Sequence, residues 1–334
     1  MTERAPGRAL TSSSLLWLGL ASCPSEHGLP SAGSVTKPLE VASANSSTPV
    51  SAPVVDLWLG GDVHWSKGRN VAGRLAPLAD LVRGSIGSVN LEGPLSPAGP
   101  GALIAADGTV TLSNNVAFLP ALRDIDARFV GIANNHADDL GVEGISATRE
   151  HLSAAGLAPV GLSAGVHSTE LAGLKVHIAA YDLTTSQPVD RSRELVPLGR
   201  EPGLLIVTFH ETGPPSYLPS ARLRVAVDDA LAHGADIVVS HGTHALGPVE
   251  RRGDKVIGWG LGNLLFDCMC TTERDGLLLR VRATDASIEA TVIPVDAGLG
   301  DAPAQLSHDP ALIFDLLESI GSSPLRPEGD RASF

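Results

Sequence analysis

The stretch Val54-Val55-Asp56-Leu57-Trp58-Leu59-Gly60-Gly61-Asp62-Val63-His64 decides the fold. Its first six residues are apolar apart from Asp56, the pattern of a buried strand. Gly60 and Gly61 are read as the end of that strand, and Asp62 and His64 follow at once. In an α/β fold the carboxyl ends of the strands share one edge, where ligand sites collect. A strand that ends in a carboxylate and an imidazole therefore marks a candidate site.

Outward from this strand the same arrangement recurs. A strand over Ile86–Leu91 carries Asn90 and runs into Glu92, and one over Phe129–Ala133 runs into Asn134, Asn135 and His136, with Asp139 just beyond. Strands are predicted over Val176–Tyr181 and over Leu204–Phe209, the latter followed by His210. The strand Ile237–Val239 leads into His241 and His244. Helical spacing is read over Leu75–Val82, Val116–Ile125, Gly141–Ala155, Arg222–His233 and Pro310–Ile320. Residues 93–111 read as a loop with a short hairpin. From Gly247 onward strands follow one another without helices: Lys255–Leu261, Gly276–Ala283 and Ser287–Val295. The expectation is a layered α/β sandwich of mixed sheets flanked by helices, with antiparallel strands toward the C-terminus.

Composition narrows the function classes. The chain has 334 residues, 43% hydrophobic, so it can bury a large core. Its formal charge is −13 and aromatics are only 4%, which argues against a nucleic-acid partner. Three cysteines are too few for a disulfide framework or a four-cysteine zinc site. Cys268 and Cys270 are expected as buried reduced thiols, with oxidation or metal binding as alternatives.

The N-terminus has its own pattern. Arg4 and Arg8 precede the apolar run Leu15–Ala21, too short to span a bilayer and suited to a secretory signal. Leu20-Ala21-Ser22-Cys23 resembles a bacterial lipobox, which predicts cleavage before Cys23 and its lipidation, and so a membrane anchor outside the cytoplasm. An ordinary cleaved signal, giving a secreted protein, is the alternative. Residues 24–52 read as a Ser/Pro/Thr-rich linker, 53–321 as the folded domain and 322–334 as a flexible tail.

Five successive strand ends thus bear carboxylate, carboxamide or imidazole, a donor set suited to Zn, Mn or Fe. The motifs Gly61-Asp62-Val63, Asn90-Leu91-Glu92-Gly93-Pro94-Leu95-Ser96, Ala133-Asn134-Asn135-His136-Ala137-Asp138-Asp139-Leu140-Gly141, the run from Gly234 to His244 and the run from Gly258 to Asp267 together resemble the CapA-type poly-γ-glutamate capsule synthesis family. The fold of that family is similar to calcineurin-like metallophosphoesterases. The resemblance implies two divalent metal ions: Asp62 and His244 on the first, Asn135, His210 and His241 on the second, and Glu92 bridging. His64 completes an Asp-x-His pair, and His136 is the implied general acid. Asn90, Asn134 and Asn263 are expected to face substrate. Two departures stand out: Glu211-Thr212-Gly213-Pro214-Pro215 replaces the family's usual loop, and Ser240-His241-Gly242-Thr243-His244 lacks its middle histidine.

The chemistry agrees with the residue types. Paired divalent ions hold both oxygens of a displacement and activate water. A carboxylate such as Glu92 can bridge two ions, Asn135 offers a neutral oxygen, and an imidazole such as His136 can protonate a leaving group. Asp139 either fixes the tautomer of His136 or caps the helix that starts at Gly141. These features predict an exported metal-dependent hydrolase acting on a phosphate ester or γ-glutamyl amide of an anionic surface polymer. The alternative is a non-catalytic, membrane-tethered accessory of the capsule synthesis machinery. Gly161-Leu162-Ser163-Ala164-Gly165 matches the serine-hydrolase elbow, but a proline-containing strand precedes it and only a modest helix, Val166–Leu171, is expected after it.

Overall fold

The computed structural model describes residues 53–66, 71–97, 101–162, 165–185, 192–199, 201–268 and 270–334. The apolar run Leu15–Ala21, Cys23, the linker 24–52 and Ser163 lie outside the described residues. Among the described residues no helix is long and apolar enough to cross a membrane.

The strands of the described residues form two main sheets, of eleven and six strands. In the larger sheet Val55–His64 is central. It runs parallel to Ile86–Leu91, which pairs with Ala127–Gly131, and that strand with Ala158–Val160. On its other side it pairs antiparallel with Asp275–Ala283, followed by Ile288–Asp296. The smaller sheet places Leu174–Asp182, Leu204–His210, Ile237–His241 and Lys255–Gly258 side by side and parallel.

The alternation within the opening stretch sets the layers. Val55, Leu57 and Leu59 face the second sheet and pack in one cluster with Ile178, Ile206 and Val239. Trp58 points the opposite way and joins Leu75, Leu78, Phe118, Leu122 and Leu152 from the helices and turns over the larger sheet. On the far side, Leu205, Val207 and Phe209 meet Leu223, Ala226, Val227 and Ala230 of the helix Ala221–Ala232. The result is a helix–sheet–sheet–helix sandwich, as expected for α/β elements that must bury both sheet faces. Each buried Leu, Ile or Val contributes about 1.5–3 kcal/mol. The parallel strands of both sheets present their carboxyl ends to the same edge, because the strands carrying the candidate ligands end there.

Several expectations are corrected. The first strand does not stop at Gly60-Gly61 but continues to His64, with its pairing register broken between Leu59 and Asp62. The glycines serve close approach rather than a turn: a Cβ on Gly61 would lie 2.1 Å from the carbonyl oxygen of Gly262. The predicted helix Leu75–Val82 is broken at Pro77 into Val71–Leu75, a turn over Ala76–Leu78 and Ala79–Val82. No helix follows Gly165; His167–Leu171 is a strand that turns through Ala172 and Gly173, both at positive φ, and pairs with Leu174–Asp182.

The tail expected to be flexible is also ordered. Arg326–Glu328 and Arg331–Ser333 form a hairpin that extends the larger sheet through Ile288–Asp296. It is held because Ala332 and Leu325 enter the core between the sheets, while the Nε of Arg251 donates to the Phe334 carbonyl at 3.0 Å. Cys268 and Cys270, expected as reduced thiols, form a disulfide. Their Cα atoms are 5.2 Å apart, within the normal bridging range.

Candidate metal centre

Asp62 lies completely buried in the last third of the first strand. Three groups hold its carboxylate from different elements. The amide of Asn90 donates to Oδ1 at 2.8 Å, the backbone N–H of Gly242 donates to Oδ2 at 2.9 Å, and the Nδ1 of His244 stands 3.4 Å from Oδ2. His241 Nδ1 is 3.5 Å from Oδ1. The loop that brings these groups together is possible because Gly242 adopts φ +95°, and a Cβ there would fall 2.6 Å from His210 Nε2. The histidine missing from this position is thus replaced by a residue that lets the loop close on His210. His244 itself has φ +58°, an uncommon conformation for a residue with a Cβ and one that collects at functional sites.

Glu92 faces Asp62 across the cleft. Asp62, Glu92 and His244 offer ligand atoms that all lie within 4.8 Å of one another. Glu92 Oε1 is 3.9 Å from His244 Nε2 and 3.9 Å from His136 Nε2. On the adjoining side the amide oxygen of Asn135 meets His210 Nε2 at 2.7 Å. Two buried atoms here have no hydrogen-bond partner, Glu92 Oε2 and His241 Nδ1. Burying such polar atoms is costly unless something pairs with them, and a cation held among Asp62, Glu92 and His244, with His241 beside Asp62, would do so. The residues present therefore fit divalent metal.

The electrostatics divide the cluster. Burial alone would raise the Asp62 carboxyl, but the hydrogen bond from His244 and the charges of His241, His244 and His210 hold it well below the usual carboxylate range. Burial pushes Glu92 up to about 7, aided by the charges of Asp62 and Asp139. Burial also pulls His210 down to about 3 and lowers His241. His244 goes the other way: its bond to Asp62 and the charge of Glu92 overcome burial and raise it to about 9.

His136 stands beside this group with its Nδ1 2.7 Å from Asp139 Oδ2. The same carboxylate oxygen accepts the backbone N–H of Leu112 at 2.6 Å, and no side chain caps the helix Gly141–Ala154, so Asp139 orients the imidazole rather than the helix. Burial opposes charging of His136, yet the bond to Asp139 and the charge of Glu92 leave its pKa raised.

Four expected site residues sit elsewhere. The structure does not bring His64 into the group: its Nδ1 is 3.0 Å from Asp267, and Phe266 stacks against it with ring centroids 5.3 Å apart. The amides of Asn90, Asn134 and Asn263 are buried in the framework rather than turned to substrate. Asn90 holds Asp62, Asn134 bonds the Leu91 carbonyl at 2.8 Å, and Asn263 bonds His244 Nδ1 at 2.9 Å and the Glu273 carbonyl at 3.0 Å. The pairing register breaks beside Asp62, which faces Asn90 on one side and Asn263 on the other, and such breaks leave no mark in the alternation of residues. Phe266 and Asp267 are the supporting residues that sequence reasoning did not assign. Phe266 also packs edge-on against His244, at 4.9 Å between centroids. Their place at the end of the Gly258–Asp267 motif was the available signal.

Residues 56–268 match the family model described as bacterial capsule synthesis protein PGA_cap. The PGA biosynthesis protein CapA of Bacillus subtilis is 27% identical over 199 residues, 52% of this chain and 52% of that protein. The capsule biosynthesis protein CapA of Bacillus anthracis is 24% identical over 205 residues, 54% of this chain and 50% of that protein. The chain thus matches about half the length of these curated relatives. Among solved structures, a phosphatase of Mycoplasma pneumoniae superposes with a TM-score of 0.47 at 15% identity, covering 74% of this chain and 95% of that one. A protein of Thermus thermophilus gives 0.46 at 14%, covering 72% and 99%.

Proposed function

The chain belongs to the bacterial capsule synthesis protein family, and we propose that it is an exported metal-dependent hydrolase acting on a phosphate ester or amide bond of an anionic surface polymer. One observation carries the reading: Glu92, whose buried Oε2 has no partner, stands 3.9 Å from the Nε2 of His136, an imidazole already oriented by Asp139. Asp62, Glu92 and His244 would hold one divalent ion, and Asn135, His210 and His241 a second, with Mn, Zn or Fe suited to these donors. Ions held there would supply Lewis-acid charge to the oxygen that gains electrons in the displacement.

The remaining chemistry belongs to the chain itself. Asp139 accepts a hydrogen bond at His136 Nδ1, so Nε2 faces the Glu92 side of the cleft and carries the proton for the leaving group. The bond to Asp139 and the charge of Glu92 raise the His136 pKa despite burial and so favour the form that carries that proton. Asn90 and the Gly242 N–H fix the Asp62 carboxylate without competing for charge. The protein is proposed to sit outside the cytoplasm on a lipid at Cys23, beside the capsule assembly machinery. Cys23→Ala should then move it from the detergent to the aqueous phase on partitioning, and identical partitioning of both forms would refute the anchor.

Metal content and turnover, measured together, test the catalytic reading. Loss of a general acid costs about 10²–10⁴ in rate. His136→Ala should keep its metal and lose most turnover against aryl phosphates or γ-glutamyl peptides, whereas His241→Ala should lose both. If the metal-loaded wild type cleaves neither substrate class and His136→Ala supports normal polymer production in cells, the protein is an accessory component instead.

A further inference from the structure

A second feature of the same edge lies outside the metal cluster. Ala133, Leu162, Gly165, Ala180, Tyr181, Asp182 and Thr185 line a pocket of about 210 Å³. Two of its walls adjoin the candidate ligands directly. Ala133 immediately precedes Asn134 and Asn135, and Asp182 is the register partner of His210 on the neighbouring strand. Gly161 draws the third wall in, since a Cβ on it would fall 2.8 Å from the Cβ of Ala133 and 2.8 Å from the carbonyl oxygen of Ala180. The interior is mainly aliphatic and aromatic carbon, with Asp182 and Thr185 at its polar side.

Leu162 gives the pocket its outer wall at a conformational cost. It has φ +53°, where asparagine or glycine would be less strained, and its side chain is 36% exposed. The Gly165 N–H donates to the Leu162 carbonyl at 3.2 Å, tying together two residues that line the pocket.

We propose that this pocket is a subsite that takes an apolar group of the substrate, of butyl to phenyl size, attached on the non-leaving side of the scissile phosphoryl or acyl centre. The inference rests on the hydrolase reading above and adds the substrate class: an amphiphilic ester or amide rather than a uniformly polar polymer. The side is assigned from geometry. His136 turns toward Glu92 and Asp139, while the pocket opens along Ala180–Asp182, the strand beside His210.

p-Nitrophenyl alkylphosphonates with methyl, ethyl, propyl and butyl groups keep the leaving group constant and vary only the proposed occupant. For the metal-loaded wild type, kcat/KM should rise by about fourfold per methylene buried. Leu162→Asn, which suits the left-handed backbone, should flatten that rise. A flat series in the wild type, or an unchanged slope in Leu162→Asn, overturns the subsite and leaves the hydrolase intact. If no phosphonate ester is cleaved, the phosphate-ester branch of the hydrolase reading fails on its own. Calorimetric binding of the corresponding alkylphosphonic acids then decides the subsite: affinity climbing with chain length supports it, and equal affinities overturn it.

Discussion

The two sheets contribute opposite chemistry to one centre. The larger sheet supplies acid: Asp62 from its first strand and Glu92 just past its second. The smaller sheet supplies base: His210 and His241 end adjacent strands, and His244 follows in the next loop. Asp62 is braced by donors, Asn90 and the Gly242 N–H, whereas Glu92 Oε2 and His241 Nδ1 are left without partners. Neither half is a site by itself. The difference teaches that the centre is assembled by the packing of two sheets, with Asp62, His210 and His244 held by the fold and one buried atom of each half, Glu92 Oε2 and His241 Nδ1, left open to a ligand.

The strongest way to break the comparison is to remove one member of each half. Asp62→Ala strips the acceptor from the Asn90 amide, the Gly242 N–H and His244, all in a buried setting. Removing one partner of a buried pair typically costs about 3–5 kcal/mol. Both Asp62→Ala and His241→Ala should lose metal. Only Asp62→Ala should also lower the denaturation midpoint of the chelated protein by an amount in that range, because His241 Nδ1 surrenders no hydrogen bond. Equal losses of stability in the two chelated variants would show that Asp62 is no better braced than His241.

What could be read from the sequence follows the same division. The acids and imidazoles were visible because they lie at or just beyond the ends of predicted strands, as Glu92 does after Ile86–Leu91 and His210 after Leu204–Phe209. The layers were visible because Leu57 and Leu59 alternate with Trp58. The direction of the amides was not. Asn90, Asn134 and Asn263 turn inward through hydrogen bonds set by which strands become neighbours, a property of pairing rather than of local pattern. The terminal hairpin was missed for a related reason. Residues 326–333 are polar in composition, and only the burial of Leu325 and Ala332 against a distant strand orders them.

A smaller perturbation sharpens the point about the loop of the smaller sheet. Gly242→Ala would place a methyl group 2.6 Å from both Glu211 O and His210 Nε2, on a backbone at φ +95°. Overpacking of this kind costs about 1–3 kcal/mol, with the displacement of His210 as its functional consequence. Gly213→Ala, in the connection that follows His210, meets nothing within 4 Å and has ordinary φ. Thermal melts and metal analysis should therefore separate two alanines placed in neighbouring loops: a lower midpoint and reduced metal content for Gly242→Ala, and no change in either for Gly213→Ala. A normal metal content in Gly242→Ala would mean that His210 does not need the close approach.

The finest distinction is in protons. In the ion-free protein Glu92 is raised to about 7 and His244 to about 9, so both retain protons in the folded state at pH values where the unfolded chain has released them. Their contribution to stability is present at low pH and lost as pH rises through about 7 and then about 9. His210 is lowered to about 3, so its contribution has the opposite sign and is lost as pH falls below its unfolded value near 6.5. Chelated protein should accordingly be most stable close to neutrality and should weaken on both flanks. Metal can bind only the deprotonated ligands, so loading must expel the protons of Glu92 and His244, whereas His210 and His241 are already neutral and release none. Apparent affinity should then climb between pH 6 and 9 by up to about tenfold per unit for each proton displaced. Calorimetry at pH 7 in two buffers of different ionisation enthalpy reads that proton release directly. If the apparent enthalpy is the same in both buffers, Glu92 and His244 are not the groups that meet the ion, and the acid half would have to be reassigned.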